Sequence, residues 1–147
     1  MFELGTDGPL VIMAGVDGTE SSIRAAAYAA GLARRQNAKL ALVYIQPYPA
    51  SVSPSAASEI IAANRSTADD LRRQMQEAIE RLPEGTVARW EFYTGEGDPF
   101  HGLCDFATKL RADAVVIGAS QKTGHRIVGS VAVRLVKAGK WPVTVVP

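Results

Sequence analysis

The sequence predicts an α/β fold: an open parallel sheet with helices on both faces. Two observations carry this. Short apolar runs rich in β-branched residues alternate with longer segments whose apolar residues recur at helical spacing, in the order βαβαβαβαβ. Several of the strand segments are near-continuous apolar runs, the pattern of strands covered on both sides. Right-handed crossovers then put helices on both faces, and ligands of such sheets sit beyond the carboxyl ends of the strands.

Length and composition narrow the function classes. A chain of 147 residues is one domain with room for a full core. The formal net charge of +1 carries no signature of a nucleic-acid or anionic-membrane partner. No apolar run is long enough to span a bilayer. The opening Met1-Phe2-Glu3-Leu4 lacks the basic residues and apolar core of a signal peptide. A single cysteine, Cys104, leaves no internal disulfide. A cytoplasmic protein is expected.

Residues 1–9 read as a flexible leader ending in a Gly-Pro turn signal. Leu10–Val16 is the first strand, followed by Asp17-Gly18-Thr19. Thr19 is placed to cap a helix over Glu20–Gln36, with Glu20 in its first turn, Arg34 and Arg35 in its last and Asn37 as the stop. Lys39–Ile45 is the second strand. Gln46–Ser58, with three prolines and four serines, reads as a loop. A helix is predicted from about Glu59 to Arg81, with Ala68, Leu71, Met75, Ala78, Ile79 and Leu82 on one face. Thr86–Tyr93 is the third strand and Gly95-Glu96-Gly97 a turn. Asp98-Pro99 starts a helix with Leu103, Phe106, Ala107 and Leu110 as its buried stripe.

Ala114–Gly118 is the fourth strand. It runs into a polar loop with Lys122, Gly124, His125 and Arg126, closing on Gly129-Ser130. A last helix follows from Ser130 to Ala138, stopped by Gly139, and Trp141–Pro147 is the final strand, entered through Pro142. Strand, glycine loop and helix start together suit a phosphate, because glycine lets backbone N–H groups approach and the first N–H groups of a helix lack internal partners. Ser130 would cap that helix and could also donate its hydroxyl.

The chain resembles the universal stress protein family, single-domain bacterial type. The resemblance rests on Val16-Asp17-Gly18-Thr19-Glu20-Ser21-Ser22, Gly95-Glu96-Gly97-Asp98-Pro99, Ile117-Gly118-Ala119-Ser120, Gly129-Ser130-Val131-Ala132 and Trp141-Pro142-Val143-Thr144-Val145-Val146-Pro147, in that order from about Leu10 to the end. It implies a Rossmann-like five-stranded parallel sheet in order 3-2-1-4-5 and a homodimer through the final strand. It also implies an adenine nucleotide, ATP with Mg²⁺, held as a regulatory ligand rather than turned over.

By resemblance, Asp17 would contact the adenosine end, with Gly15 and Val16 in the same binding set. Backbone at Ile45 would border the adenine, Ile117 and Gly118 would flank the ribose or first phosphate, and Gly129, Ser130 and Val131 would hold the phosphates. The sequence departs from the family's glycine pattern at Gln121, which stands where a second glycine belongs, and in a shorter loop. A second reading follows: a dimeric interaction module of the same fold that binds no nucleotide.

Other readings of the same residues are weaker. Asp17 also suits a plain strand-end turn. Lys122, His125 and Arg126 suit a solvated loop, or could replace lost backbone contacts at about 1.5–3 kcal/mol per charged hydrogen bond. Lys122-Thr123 lacks the preceding glycine of a P-loop. His101, Cys104 and Asp105 share one helix turn without a second ligand pair, so no zinc site is expected. No Ser-His-Asp or paired-carboxylate arrangement stands out.

Overall fold

The computed structural model describes residues 8–49, 51–87, 89–122, 125–127 and 129–147, with backbone only for 120–122 and 125–127. Its central strand is β1 (Val11–Gly15), flanked by β2 (Lys39–Gln46) and β4 (Ala114–Gly118). β3 (Trp90–Glu96) and β7 (Val143–Val146) form the edges, so the parallel sheet runs β3-β2-β1-β4-β7. This is the expected 3-2-1-4-5 order, with β7 as the fifth strand of the sheet.

Alternation along the strands divides the core. Ile12, Ala14, Leu40, Leu42 and Tyr44 face α1 (Glu20–Gln36) and α2 (Pro54–Glu80). Met13, Ala41, Val43 and Ile45 face α3 (Pro99–Lys109) and α4 (Ser130–Ala138). The alanines of α1 (Ala25, Ala26, Ala29 and Ala33) are all buried and bring its backbone close to the sheet. Asp113 ties the start of β4 to β1: its Oδ2 accepts from the N–H groups of Leu10 (2.8 Å) and Val11 (2.9 Å).

The caps read from sequence stand for three helices. Thr19 accepts from the Ser22 N–H, Asp98 from the His101 N–H, and Asn37 takes the left-handed conformation (φ 52°) that ends α1. Gly139 (φ 64°) ends α4.

Four expectations are corrected. First, α2 begins at Pro54, not near Glu59, so the last five residues of the supposed Gln46–Ser58 loop are helical, and Gln46 itself ends β2. Ser53 caps it, accepting from the Ala56 N–H, and proline at the first helical position costs no hydrogen bond. Second, α2 overhangs its sheet. Its 27 residues span roughly 40 Å. Ala68, Leu71 and Met75 are buried, but Ala78 is exposed, Ile79 half-buried, and Leu82 41% exposed at the rim of an apolar hollow of ≈ 320 Å³. Third, β3 is shifted toward the C-terminus: Gly95 and Glu96 pair with Ile45 and Gln46, and the turn begins at Gly97 (φ 116°). Fourth, the polar loop after β4 contains a small antiparallel hairpin, β5 (Ser120–Lys122) with β6 (His125–Ile127). No helix among the described residues is long and apolar enough to cross a membrane.

The overhang of α2 sets an expected contrast in urea unfolding. Leu71→Ala should lower stability by about 2–5 kcal/mol, the range for a buried leucine, whereas Leu82→Ala should cost less than about 1 kcal/mol.

Candidate functional site

The carboxyl ends of β1, β2 and β4 open into a cavity of ≈ 720 Å³, within the roughly 300–1,000 Å³ of small-molecule sites. All nine residues singled out from sequence border it: Gly15, Val16 and Asp17 after β1, Ile45 at the end of β2, Ile117 and Gly118 at the end of β4, and Gly129, Ser130 and Val131 at the start of α4. Sequence reading missed Tyr44, Pro47, Leu103 and the first turn of α1. The last begins three residues after Asp17, and its adjacent Ser21 and Ser22 are buried polar residues on the side of α1 that meets the sheet.

Asp17 sits in a tight turn at the cavity rim. Its Oδ1 accepts from the Thr19 N–H (2.9 Å) and the Thr19 hydroxyl (2.6 Å), while its own N–H donates to Ser22 Oγ (3.2 Å). Gly18 between them has φ +86°, a conformation only glycine takes easily. Both readings of Asp17 therefore have a physical basis. One oxygen builds the turn, and Oδ2 has no protein hydrogen-bond partner among the described residues.

The two glycines at strand ends are small because neighbours press on them. A Cβ on Gly118 would lie 2.5–2.7 Å from the backbone of Ser21 and Ser22, and one on Gly15 would lie 2.9 Å from the Ile117 side chain. The glycine at the end of β4 thus lets the first turn of α1 lie across the strand. The apolar walls are supplied by Val43, Ile45, Leu103, Ile117 and Val131.

At the far wall, α4 is capped differently from expectation. Gly129, not Ser130, is the N-cap, with extended backbone (φ −62°, ψ 156°) and no side-chain hydrogen bond, and its carbonyl accepts from the Val133 N–H. Ser130 is the first helical residue. A glycine cap leaves first-turn N–H groups without a side-chain acceptor, on a helix end that carries partial positive charge.

A clasp between α3 and α4 fixes that end. Asp98 takes the His101 N–H, and the Arg134 guanidinium approaches both its oxygens (3.3 and 3.4 Å) while lying 4.2 Å over the Phe100 ring. The backbone hydrogen bond first, and then Arg134, hold the Asp98 carboxyl below its usual range against the opposing effect of burial. His101 Nδ1 lies 2.9 Å from Asp98 as well. No group of three or more metal-ligating side chains occurs among the described residues. The side chains of Gln121, Lys122, His125 and Arg126, and all of Gly124, lie outside the described residues.

The packing of Gly118 is testable directly. Gly118→Ala should destabilise the fold by about 1–3 kcal/mol, because the added methyl meets backbone rather than a movable side chain. Chemical denaturation without ligand checks it, so that a loss of binding cannot be mistaken for the cause.

Comparison with known proteins agrees with this architecture. Residues 10–147 match the model of the universal stress protein family. A universal stress protein of Methanocaldococcus jannaschii is 30% identical over 136 residues, covering 88% of this chain and 77% of its own. The universal stress protein UspA of Lactobacillus plantarum superposes with a TM-score of 0.83 at 26% identity, over 93% of this chain and 97% of that one. A family protein of Arabidopsis thaliana, solved with AMP bound, superposes at 0.67 with 21% identity, over 94% and 91%. On the match across 10–147 and the shared sheet order, this chain belongs to the universal stress protein family.

Proposed function

We propose that this domain binds an adenine nucleotide, ATP with Mg²⁺ in the first instance, as a regulatory ligand in a cytoplasmic stress response. The observation that carries the reading is that one cavity is bordered both by Asp17, whose Oδ2 has no protein partner among the described residues, and by a glycine-capped helix start at Gly129–Val131. An anion is favoured at the helix start by its unpaired N–H groups and its dipole. Asp17 Oδ2 accepts from an N–H or O–H of the adenosine end, and Ile45 and Val43 supply apolar wall. The Arabidopsis relative with AMP bound is consistent with a ligand of this class. The residues around the cavity suit binding and orientation, and the domain is read as a binder rather than a catalyst.

The free edge of the sheet supports a homodimer through β7. Pro142 and Val146 direct their carbonyls at β4, so by alternation Val143 and Val145 present theirs at the edge. Every residue of β7 is only half-buried, and Val136 of the adjoining α4 is 55% exposed. This edge also supports the second reading, a dimeric module that binds no nucleotide.

Thermal melts separate the two. With ATP or AMP at 100 times its Kd the domain should gain about 2.7 kcal/mol, and Asp17→Asn should weaken binding by roughly 10- to 100-fold, as for a lost charged hydrogen bond. No shift at millimolar nucleotide would leave the second reading standing. By sedimentation, the wild-type chain should be a dimer and Val145→Pro a folded monomer. A wild-type monomer would remove the β7 interface.

A further inference from the structure

Tyr44 is only 5% exposed, and its hydroxyl has no hydrogen-bond partner among the described residues. No side-chain oxygen among those residues is both buried and unpartnered, so the small open part of Tyr44 includes its hydroxyl. Tyr44 belongs to the same core cluster as Leu71 and Ala68 of α2, which accounts for its apolar body but not for its oxygen. The residue also borders the ≈ 720 Å³ cavity.

Its position follows from strand register. Gly15 is paired with Val43, and the Val16 N–H donates to the Val43 carbonyl. Tyr44 therefore lies alongside Val16, one residue short of Asp17. Leu71 of α2, which touches Tyr44's cluster, also comes within contact of the site of a Cβ at Gly18. The phenol and the carboxylate thus belong to adjoining stretches of the cavity wall.

We propose that Tyr44 is a base-recognition residue: its hydroxyl donates to a ring nitrogen of adenine while Asp17 Oδ2 accepts from the neighbouring exocyclic amine. The pair is chemically matched to that target. A carboxylate only accepts, a neutral phenol can donate, and adenine presents an amine donor flanked on both sides by ring-nitrogen acceptors. A 6-oxo purine would instead turn an acceptor toward the carboxylate. Burial first, and then the charge of Asp17, push the Tyr44 hydroxyl above its usual range, which keeps it protonated and a donor throughout the physiological range.

This rests on the reading of the cavity as an adenine-nucleotide site, and the experiment separates the two. Titration calorimetry is run with AMP, 1-deaza-AMP, 7-deaza-AMP and IMP on the wild type and on Tyr44→Phe, which keeps the ring and deletes only the oxygen. The expected result is a roughly tenfold loss of AMP affinity in Tyr44→Phe, the scale of one hydrogen bond, with an unchanged or raised Tm. One of the two deaza analogues should bind the wild type about tenfold more weakly than AMP and be indifferent to Tyr44→Phe, because both changes remove the same bond. IMP should bind the wild type more weakly than AMP. If the wild type binds AMP but Tyr44→Phe binds it equally well, or if both deaza analogues match AMP, the role of Tyr44 is overturned and the cavity reading stands. If the wild type binds none of these nucleotides, both fall together.

Discussion

The architecture depends on how closely the first turn of α1 lies against the end of β4. Where Gly118 has no side chain, the backbone of Ser21 and Ser22 occupies the space. That approach sets the start of α1, and with it the Thr19 cap, the turn at Gly18 and the orientation of Asp17. It also aligns the ends of β1 and β4 as two lips of one opening. A side chain at Gly118 would push the helix away from the sheet, and the serines that now meet Asp17 and Thr19 would lose their register.

Much of the fold was legible because parallel strands covered on both faces must be apolar along their length, and β1, β4 and the Leu40–Ile45 body of β2 are. The caps at Thr19, Asn37, Asp98 and Gly139 were legible because their chemistry is local. What misled was sequence whose meaning depends on position. Pro54 looks like a breaker, yet after Ser53 it is a helix start. Gly95 looks like a turn residue, yet it pairs with Ile45 within β3, and its missing side chain makes room for the Phe106 ring, 2.9 Å from where a Cβ would be. The hairpin strands β5 and β6 have three residues each, too few to show a period.

The cavity residues divide along the same line. Glycine at 118 and serine at 130 point to a phosphate-holding motif when read in sequence. In three dimensions Gly118 answers to helix packing, and the capping position belongs to Gly129. Tyr44 gave no signal at all: in a run such as Leu40–Ile45 an aromatic reads as core, and only the register of β2 against β1 brings the residue alongside Val16, next in sequence to Asp17.

The glycine cap of α4 has a consequence for how this domain could report on its surroundings. A helix that lacks a capping side chain is loosest at its first turn, and here that turn borders the cavity while the strand that follows the helix is an outer edge of the sheet. A bound anion would take the place of the missing cap. Occupancy would then be felt as firmness in the closing third of the chain, the part that another subunit would grip, so that the filled and empty forms could be told apart by touch rather than by shape.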